Sequence, residues 1–543
     1  MKKLALMAIN RWLPYFLVSL EGLAFILVIL GALEPIHAAD FFCPSGNVSC
    51  LIAAINDANG LPEEHTINLE PGTYTLQLVD NVTDGPNGLP SIRRSIQIQA
   101  SADDSPTVIE RDPGAPVFRI FHVSLGGELS LDGIIVQRGN LQAPGGPGIF
   151  NRGVTSLQDS IVTDASGDAG AIHNIDTLNV FRSIIADNVT HFVGGGIHNG
   201  PGGNILVENS TIGHNQTTDG GGIFNQGSVV VRNSAIISNH TDQAQPGGGI
   251  LNSGGSVEIV NSTIAKNTAG GSFGGGGGIA NFGGQVSIAN STIRENQTLE
   301  HNGGGILNSG GAIQVQNTIV AGNSIDIPFG AAGPDCSGTI TSLGNNFVGD
   351  PSDCDINLQP SDLMGDPGLD ALVGTGEDDL PGRAYYPVLA GSAVIDRGNP
   401  DACPETDQLG NPRVGTCDIG AIEFQERMLV SVDVRPHGDA NRINPNSSGD
   451  IRVAIFSVDG FDATTVDPNT VRFGATGTEA APIHVGRRDV DGDGNRDMVL
   501  RFQIADTGIK CGDTSASLTG QLSQGLPITG SSPIRTVQCK KQR

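Results

Sequence analysis

Seven times between Ile149 and Asn308, at one repeating position spaced 23 to 29 residues apart, the chain spells isoleucine, any residue, asparagine: Ile149/Asn151, Ile172/Asn174, Ile197/Asn199, Ile223/Asn225, Ile250/Asn252, Ile279/Asn281 and Ile306/Asn308. In five of the seven the isoleucine follows three glycines, and successive isoleucines lie 23, 25, 26, 27, 29 and 27 residues apart. A fixed phrase at a drifting period of this size is the signature of a solenoid, whose units bury their apolar edges only by stacking on one another. Composition agrees. The 77 glycines, one tryptophan and four tyrosines suit short stacked strands and tight turns better than an ordinary globular core.

Within one unit, Gly247-Gly-Gly-Ile250-Leu-Asn252 leads to Ser256-Val-Glu-Ile-Val260 and then to Asn261-Ser-Thr-Ile264-Ala-Lys-Asn267. Val257 and Ile259 alternate as a half-buried strand. Ile264 follows Ile259 by five residues, a change of parity that predicts a corner between two strands. The same steps recur at Val207/Ile212, Val231/Ile236 and Ile288/Ile293. Each unit therefore offers three short strands with no room for a crossover helix. Coiled, such units stack like strands about 4.8 Å apart. A second asparagine column runs Asn188, Asn215, Asn239, Asn267, Asn296 and Asn323. Asparagine tolerates left-handed backbone at corners, and stacked amides can bond along a column. The Asn-x-Ser/Thr sequons starting at Asn209, Asn261 and Asn290 fall at repeated turn positions and read as structural. Leucine-rich repeats, propeller blades and calcium-binding nonapeptides each demand a pattern or period that is absent. The expectation is an all-β chain: a right-handed parallel β-helix of about ten rungs over residues 39–325.

These residues also carry a resemblance. The Gly-Gly-Gly-Ile phrase with its Ile-x-x-Asn partner (Ile212/Asn215, Ile264/Asn267, Ile293/Asn296) is similar to repeats of the polymorphic outer membrane protein type. Cys50-Leu-Ile-Ala-Ala-Ile-Asn-Asp-Ala-Asn59 resembles the opening motif of CSLREA-domain β-helix proteins of bacterial surfaces, departing where Leu-Ile-Ala-Ala replaces Ser-Leu-Arg-Glu. Asp407-Gln-Leu-Gly-Asn-Pro-Arg413 with Asp418-Ile-Gly-Ala-Ile-Glu423 resembles the choice-of-anchor Q domain that closes such helices, here over 326–426. The resemblance spans roughly 43–425 and implies a secreted or surface-displayed right-handed β-helix with no established reaction. Physically, both ends read as caps: Leu51, Ile55 and Ala58 line one face of a short helix that would cover the first rung, and an uncovered end would expose strand edges.

Export is expected from the N-terminus, where Met-Lys-Lys, an apolar run over 22–33 and a small-residue exit read as a signal peptide over residues 1–38. The eight cysteines fall in near pairs, Cys43/Cys50, Cys336/Cys354, Cys403/Cys417 and Cys511/Cys539, which with an export signal predicts local disulfides rather than metal ligands. A net charge of −27 argues against nucleic acid and anionic membranes as partners. No Gly-Lys-Ser/Thr follows a glycine-rich loop, which argues against nucleotides. The chain is expected to be a monomer.

Two groups carry chemistry. Asp489-Val-Asp491-Gly-Asp493-Gly-Asn495-Arg-Asp497 has the spacing of a calcium loop, oxygens at positions 1, 3, 5 and 9 and glycine at 6. Leu500 stands where an EF-hand has glutamate, so a structural Ca2+ site between strands is expected, with Asp489, Asp491, Asp493, Asn495 and Asp497 as ligands. The surrounding residues 427–543 alternate as short strands between Asp/Pro/Gly turns and predict a small β-sandwich. On the helix, Asp159, Asp168, Asp187 and Arg182 are the candidates for a pectate-lyase-like or glycosidase site, which needs clustered carboxylates beside a base. Asp164 is read as part of the asparagine column, and His173 and His198 as a stacked pair or a paired metal site.

Length varies only between the second asparagine of one unit and the isoleucine of the next, where it runs 9, 8, 11, 12 and 10 residues. Solenoid insertions collect on one, often binding, face. The functional expectation is an adhesin-like or structural β-helix that binds extracellular polysaccharide or a surface protein. A polysaccharide lyase or glycoside hydrolase is the alternative.

Overall fold

The computed structural model describes residues 39–539 apart from 102–104, 143–144, 243–245, 271–274, 300–301, 327–333, 376–380, 426, 437–440, 459 and 524–525. The expected signal peptide lies outside the described residues. No helix among these is long and apolar enough to cross a membrane. The chain forms two compact units, one ending at Glu423 and one beginning at Phe424.

The first unit is a parallel β-helix. One rung runs Ile223–Asn225, Ser228–Arg232, Ala235–Ile237 and His240–Thr241. Each segment pairs in parallel with its counterparts before and after, building sheets of 19, 12 and 8 strands. The first face of each rung is one strand interrupted at the glycine after the Ile-x-Asn phrase. In two rungs it runs unbroken, as Ile279–Ala289 and Ile306–Gln316. The seven repeat isoleucines stack in register and are fully buried. Each contributes about 1.5–3 kcal/mol by leaving water.

Both asparagine columns lie inside and form amide ladders. Asn151, Asn174, Asn199, Asn225, Asn252 and Asn281 each donate Nδ2 to the next asparagine Oδ1, at 2.7–3.0 Å. In the second ladder Asn188, Asn215, Asn239, Asn267 and Asn296 do so at 2.9 Å. A third column is serine: the backbone N–H groups of Ser160, Ser183 and Ser210 donate to the next serine Oγ at 3.1 Å. Asparagine 239 and its equivalents do not themselves turn left-handed, contrary to expectation. The residue before each does: Asp187, His214, Ser238, Lys266 and Glu295 have φ between +54° and +57°. Asp164 (φ +52°) belongs to that outer row, and Ala165 holds the ladder position. At the preceding corner the sequon asparagines Asn209, Asn261 and Asn290 are left-handed, with φ +48° to +51°.

The glycine triplet follows from the ladder. Gly247 has φ +74°, and a Cβ on Gly249 would stand 2.6 Å from Gly278 O and 3.1 Å from the Asn267 amide. The first glycine turns the chain, and the third makes room for the asparagine column of the neighbouring rung.

The N-terminal helix α1, Val48–Asn59, packs Leu51, Ala54, Ile55 and Ala58 onto the core of the first rungs, as the sequence predicts. The closing segment behaves differently. Rungs continue past Ile325: Cys336–Ser342 pairs with Ile306–Gln316, and Leu363–Met364 with Phe347–Val348. The remainder to Glu423, where described, is anchored on the side of the helix. It runs back along the outer face of the second sheet, where Leu369, Ala384, Tyr386, Val394 and Ile419 bury Ala235, Ile237, Ala265, Ile319 and Phe347. The small outward residues of that sheet invite this second apolar layer. The segment is a lateral strap.

The second unit contains two four-stranded sheets. One holds Val432–Val434, Asp450–Ile455, Asp497–Gln503 and His484–Arg488, all antiparallel. The other joins Met428–Leu429, Pro527–Pro533, Ser515–Leu522 and Val466–Gly474. Val453, Phe473, Leu500, Phe502 and Leu518 form its sandwich-like core. The four disulfides are those expected, with Cα–Cα distances of 5.3–6.3 Å.

Candidate functional site

One continuous surface feature of the β-helix is the outward face of the five-residue strands. Inward Val229/Val231, Val257/Ile259 and Val286/Ile288 fix the alternation, so their neighbours must face solvent. Ser228, Val230, Ser256, Glu258, Gln285, Ser287, Ala312 and Gln314 line a shallow groove there. In register, Leu206, Val230, Glu258, Ser287 and Gln314 form its central row. Glu258 is the one carboxylate among these residues, and Arg232 Nη2 donates to it at 2.9 Å. The floor is otherwise hydroxyl, amide and aliphatic, with no second carboxylate to act as an acid or base beside the first.

The length-variable turns follow the third sheet, and 243–245, 271–274 and 300–301 lie outside the described residues. Where described, they carry Phe192, 60% exposed, and close contacts of His191 with Asp168 at 3.6 Å and of His240 with Asp242 at 3.0 Å. They supply isolated polar contacts along an edge.

The four early-rung candidates do not converge. Asp159 and Arg182 stack at the first corner, where the guanidinium donates to both carboxylate oxygens at 2.8 and 2.7 Å. Asp187 stands at the second corner and Asp168 on the third sheet. Asp132, which the sequence reading missed, joins the first corner: Gln158 pairs with it in register, and burial together with the Asp159 charge pushes its carboxyl up. Its signal was register, since it lies one repeat before Gln158, the neighbour of Asp159.

Outward from the Ile-x-Asn strands runs a column of His122, Phe150, His173, His198 and Phe224. His173 and His198 stack 4.2 Å apart and 11° from parallel. Burial pushes the His173 imidazole down to about 3 and that of His198 to about 4, so both are neutral. Parallel rings aim their lone pairs side by side, whereas a shared ion needs them to converge at about 2.1 Å from each nitrogen. The paired metal site is excluded on geometry. His122, also pushed down to about 4 by burial, bonds Ser91 Oγ at 2.9 Å and Asp84 Oδ2 at 3.2 Å. Ser91 is itself buried, so this trio braces the early rungs.

In the second unit Asp489, Asp491 and Asp493 bring ligand oxygens within 4.8 Å of one another on an exposed turn. Gly492 and Gly494 N–H groups hold the two Asp489 oxygens at 2.7 and 3.0 Å, which shapes the loop. Asn495 donates to both oxygens of Asp493. Asp497 is not part of the group: it is buried, and its oxygens accept from Ser457 N at 2.9 Å and Val490 N at 2.8 Å.

Compared with family models, curated proteins and solved structures, the chain matches none.

Proposed function

We propose that this protein is a secreted or cell-surface β-helix that binds polysaccharide or a protein surface along the outer face of its first sheet, without catalysis. The supporting observation is the central row from Leu206 to Gln314, one residue per rung, with a single, ion-paired carboxylate. Repetition at strand spacing presents an extended array of weak polar and aliphatic contacts, which suits a linear or flat partner rather than a small ligand in a pocket. Four disulfides accord with an oxidising compartment. The Asp489, Asp491, Asp493 turn would take Ca2+ as a structural ion, with the Asn495 backbone carbonyl as a further oxygen. A glycan and protein array probed with the purified chain and with S256R/S287R tests the reading. Binding by the parent and none by the variant is the expected result. Equal binding by both would remove the groove from the function.

A lyase or hydrolase is the alternative, with Asp132 beside Asp159 and Arg182 as its candidate group: burial and the Asp159 charge push the Asp132 carboxyl up, and Arg182 draws it down. Turnover of a polysaccharide panel, abolished by Asp132→Asn, would establish it in place of the binding role.

A further inference from the structure

Charge is partitioned along the chain. Residues 424–543 contain 14 Lys+Arg and 14 Asp+Glu, so the whole excess of −27 falls in residues 1–423, with 16 and 43. Within the neutral second unit four arginines line one groove. Arg452, Arg501 and His484 are direct cross-strand partners on three adjacent antiparallel strands. Arg488 lies on the same face of the edge strand His484–Arg488, and Arg487 also lines the groove between them. Three strands at about 4.8 Å spacing set this row across about 10 Å. Like charges directly opposite one another destabilise a sheet, and here an arginine faces an arginine. The opposing carboxylates are Asp450, which accepts from Arg501 Nη1 at 3.3 Å, Asp497, the buried cross-strand partner of Arg488, and Asp462, which feels the charge of Arg487. Asp433 lies on the far strand, opposite Ala454.

The floor between the cations is Gly486 and Val499, which leaves space for a flat group to lie against the sheet. No phenylalanine, tyrosine or tryptophan lines the groove among the described residues, so the broad stacking platform that holds single-stranded nucleic acid is lacking there, His484 being its one ring. Guanidinium forks match carboxylate and sulfate oxygens in pairs. We propose that this face is a binding groove for an anionic polysaccharide bearing carboxylate or sulfate groups, with Arg452, Arg488 and Arg501 as the contacting cations. The groove is separate from the first-sheet surface, and its test does not depend on that reading.

The test measures binding of the full chain to a polyuronate, to a sulfated glycan and to a neutral polysaccharide of similar length. Chelator is present throughout, so that no cation bridges the glycan to Asp489, Asp491 or Asp493. Two variants accompany it: R452Q/R488Q/R501Q, and R535Q as an exposed cation away from the groove. An unchanged melting temperature shows that each is folded, and R452Q alone serves if the triple variant is not. Expected are binding to one of the two anionic polymers, none to the neutral one, at least tenfold loss in the groove variant and no loss in R535Q. A smaller salt dependence in the groove variant is also expected. The carboxylated and sulfated arms distinguish the two oxyanions. Equal binding by parent and groove variant overturns the proposal, as does preference for single-stranded DNA or anionic vesicles over both glycans.

Discussion

Asn323 donates both its backbone N–H and its side-chain amide to one oxygen of Asp335, at 2.9 and 2.8 Å. Every amide of the second ladder points its donor the same way along the helix, so the last one needs an acceptor. A carboxylate is acceptor-only when ionised, and Asp335 ends the column while its other oxygen takes the N–H of Asp350 at 2.7 Å. The ladder is thus a directed chain of hydrogen bonds with a built terminus.

Asn239 sits in its middle. It receives the Asn215 backbone and side-chain amides at 3.1 and 2.9 Å and donates to Ile212 O and Asn267 Oδ1 at 2.9 Å each. Asn239→Ala removes these four hydrogen bonds from a buried column and leaves the Asn215 backbone N–H without its acceptor, and a cost of roughly 2–4 kcal/mol follows. Urea unfolding of the variant should show the midpoint fall accordingly. A loss below about 0.5 kcal/mol would mean that the ladder follows from the fold rather than supporting it.

The strap depends on one buried ion pair. Arg413 Nη1 meets Glu423 Oε2 at 3.2 Å with both side chains almost fully buried, and Nη2 donates to Asn261 Oδ1 at 3.0 Å. Glu423 also accepts from the N–H groups of Val414 and Asp418 at 2.8 and 2.9 Å. Removing one partner of a buried pair costs about 3–5 kcal/mol. Glu423→Ala should therefore loosen residues 365–423 while the rungs persist. Limited proteolysis would then cut within the strap first, and circular dichroism would keep its β signal.

The rungs were legible in the sequence because each buried position repeats: a column of isoleucines or asparagines announces itself many times. The strap was not, because its apolar residues Leu369, Tyr386, Val394 and Ile419 occur once each, among acidic turns. Its motif residues Asp407, Gln408, Arg413 and Glu423 suggested an ending. They are anchors: Thr263 Oγ1 donates to Gln408 Oε1 at 2.6 Å on a middle rung. The early Asp/Arg group misled for a related reason. Sequence proximity put Asp159, Asp168 and Asp187 together, while the coil sends them to different corners and sheets.

The calcium loop separates two roles for its aspartates. Asp497 anchors backbone and should matter with or without metal, so Asp497→Ala should destabilise the second unit by about 2–3 kcal/mol in chelator. Asp491→Asn should do little in chelator but should abolish the rise in melting temperature that added Ca2+ gives the parent. No rise in the parent would remove the ion from the fold.

Acid sensitivity should trace to the stacked histidines. In the folded chain His173 and His198 are pushed down to about 3 and about 4, against an ordinary value near 6.5 in the unfolded chain. Between those limits the unfolded chain binds more protons than the folded one, so stability rises with pH across that window. Sign and window follow: full stability above about pH 6.5, progressive loss down to about pH 4 from His198 and to about pH 3 from His173. Both Nδ1 atoms are also buried with no hydrogen-bond partner among the described residues. Phenylalanine already occupies the same column at Phe150, stacked on His173 with centroids 4.9 Å apart, and at Phe224, edge-to-face with His198 at 5.4 Å. H173F/H198F should keep the column, remove two neutral imidazoles that resist protonation and flatten the stability profile between pH 4 and 6.5. His122, pushed down for the same reason, leaves a residual slope. Melting temperatures of parent and double variant across that range decide it, and parallel curves would show that the histidines do not set the acid limit.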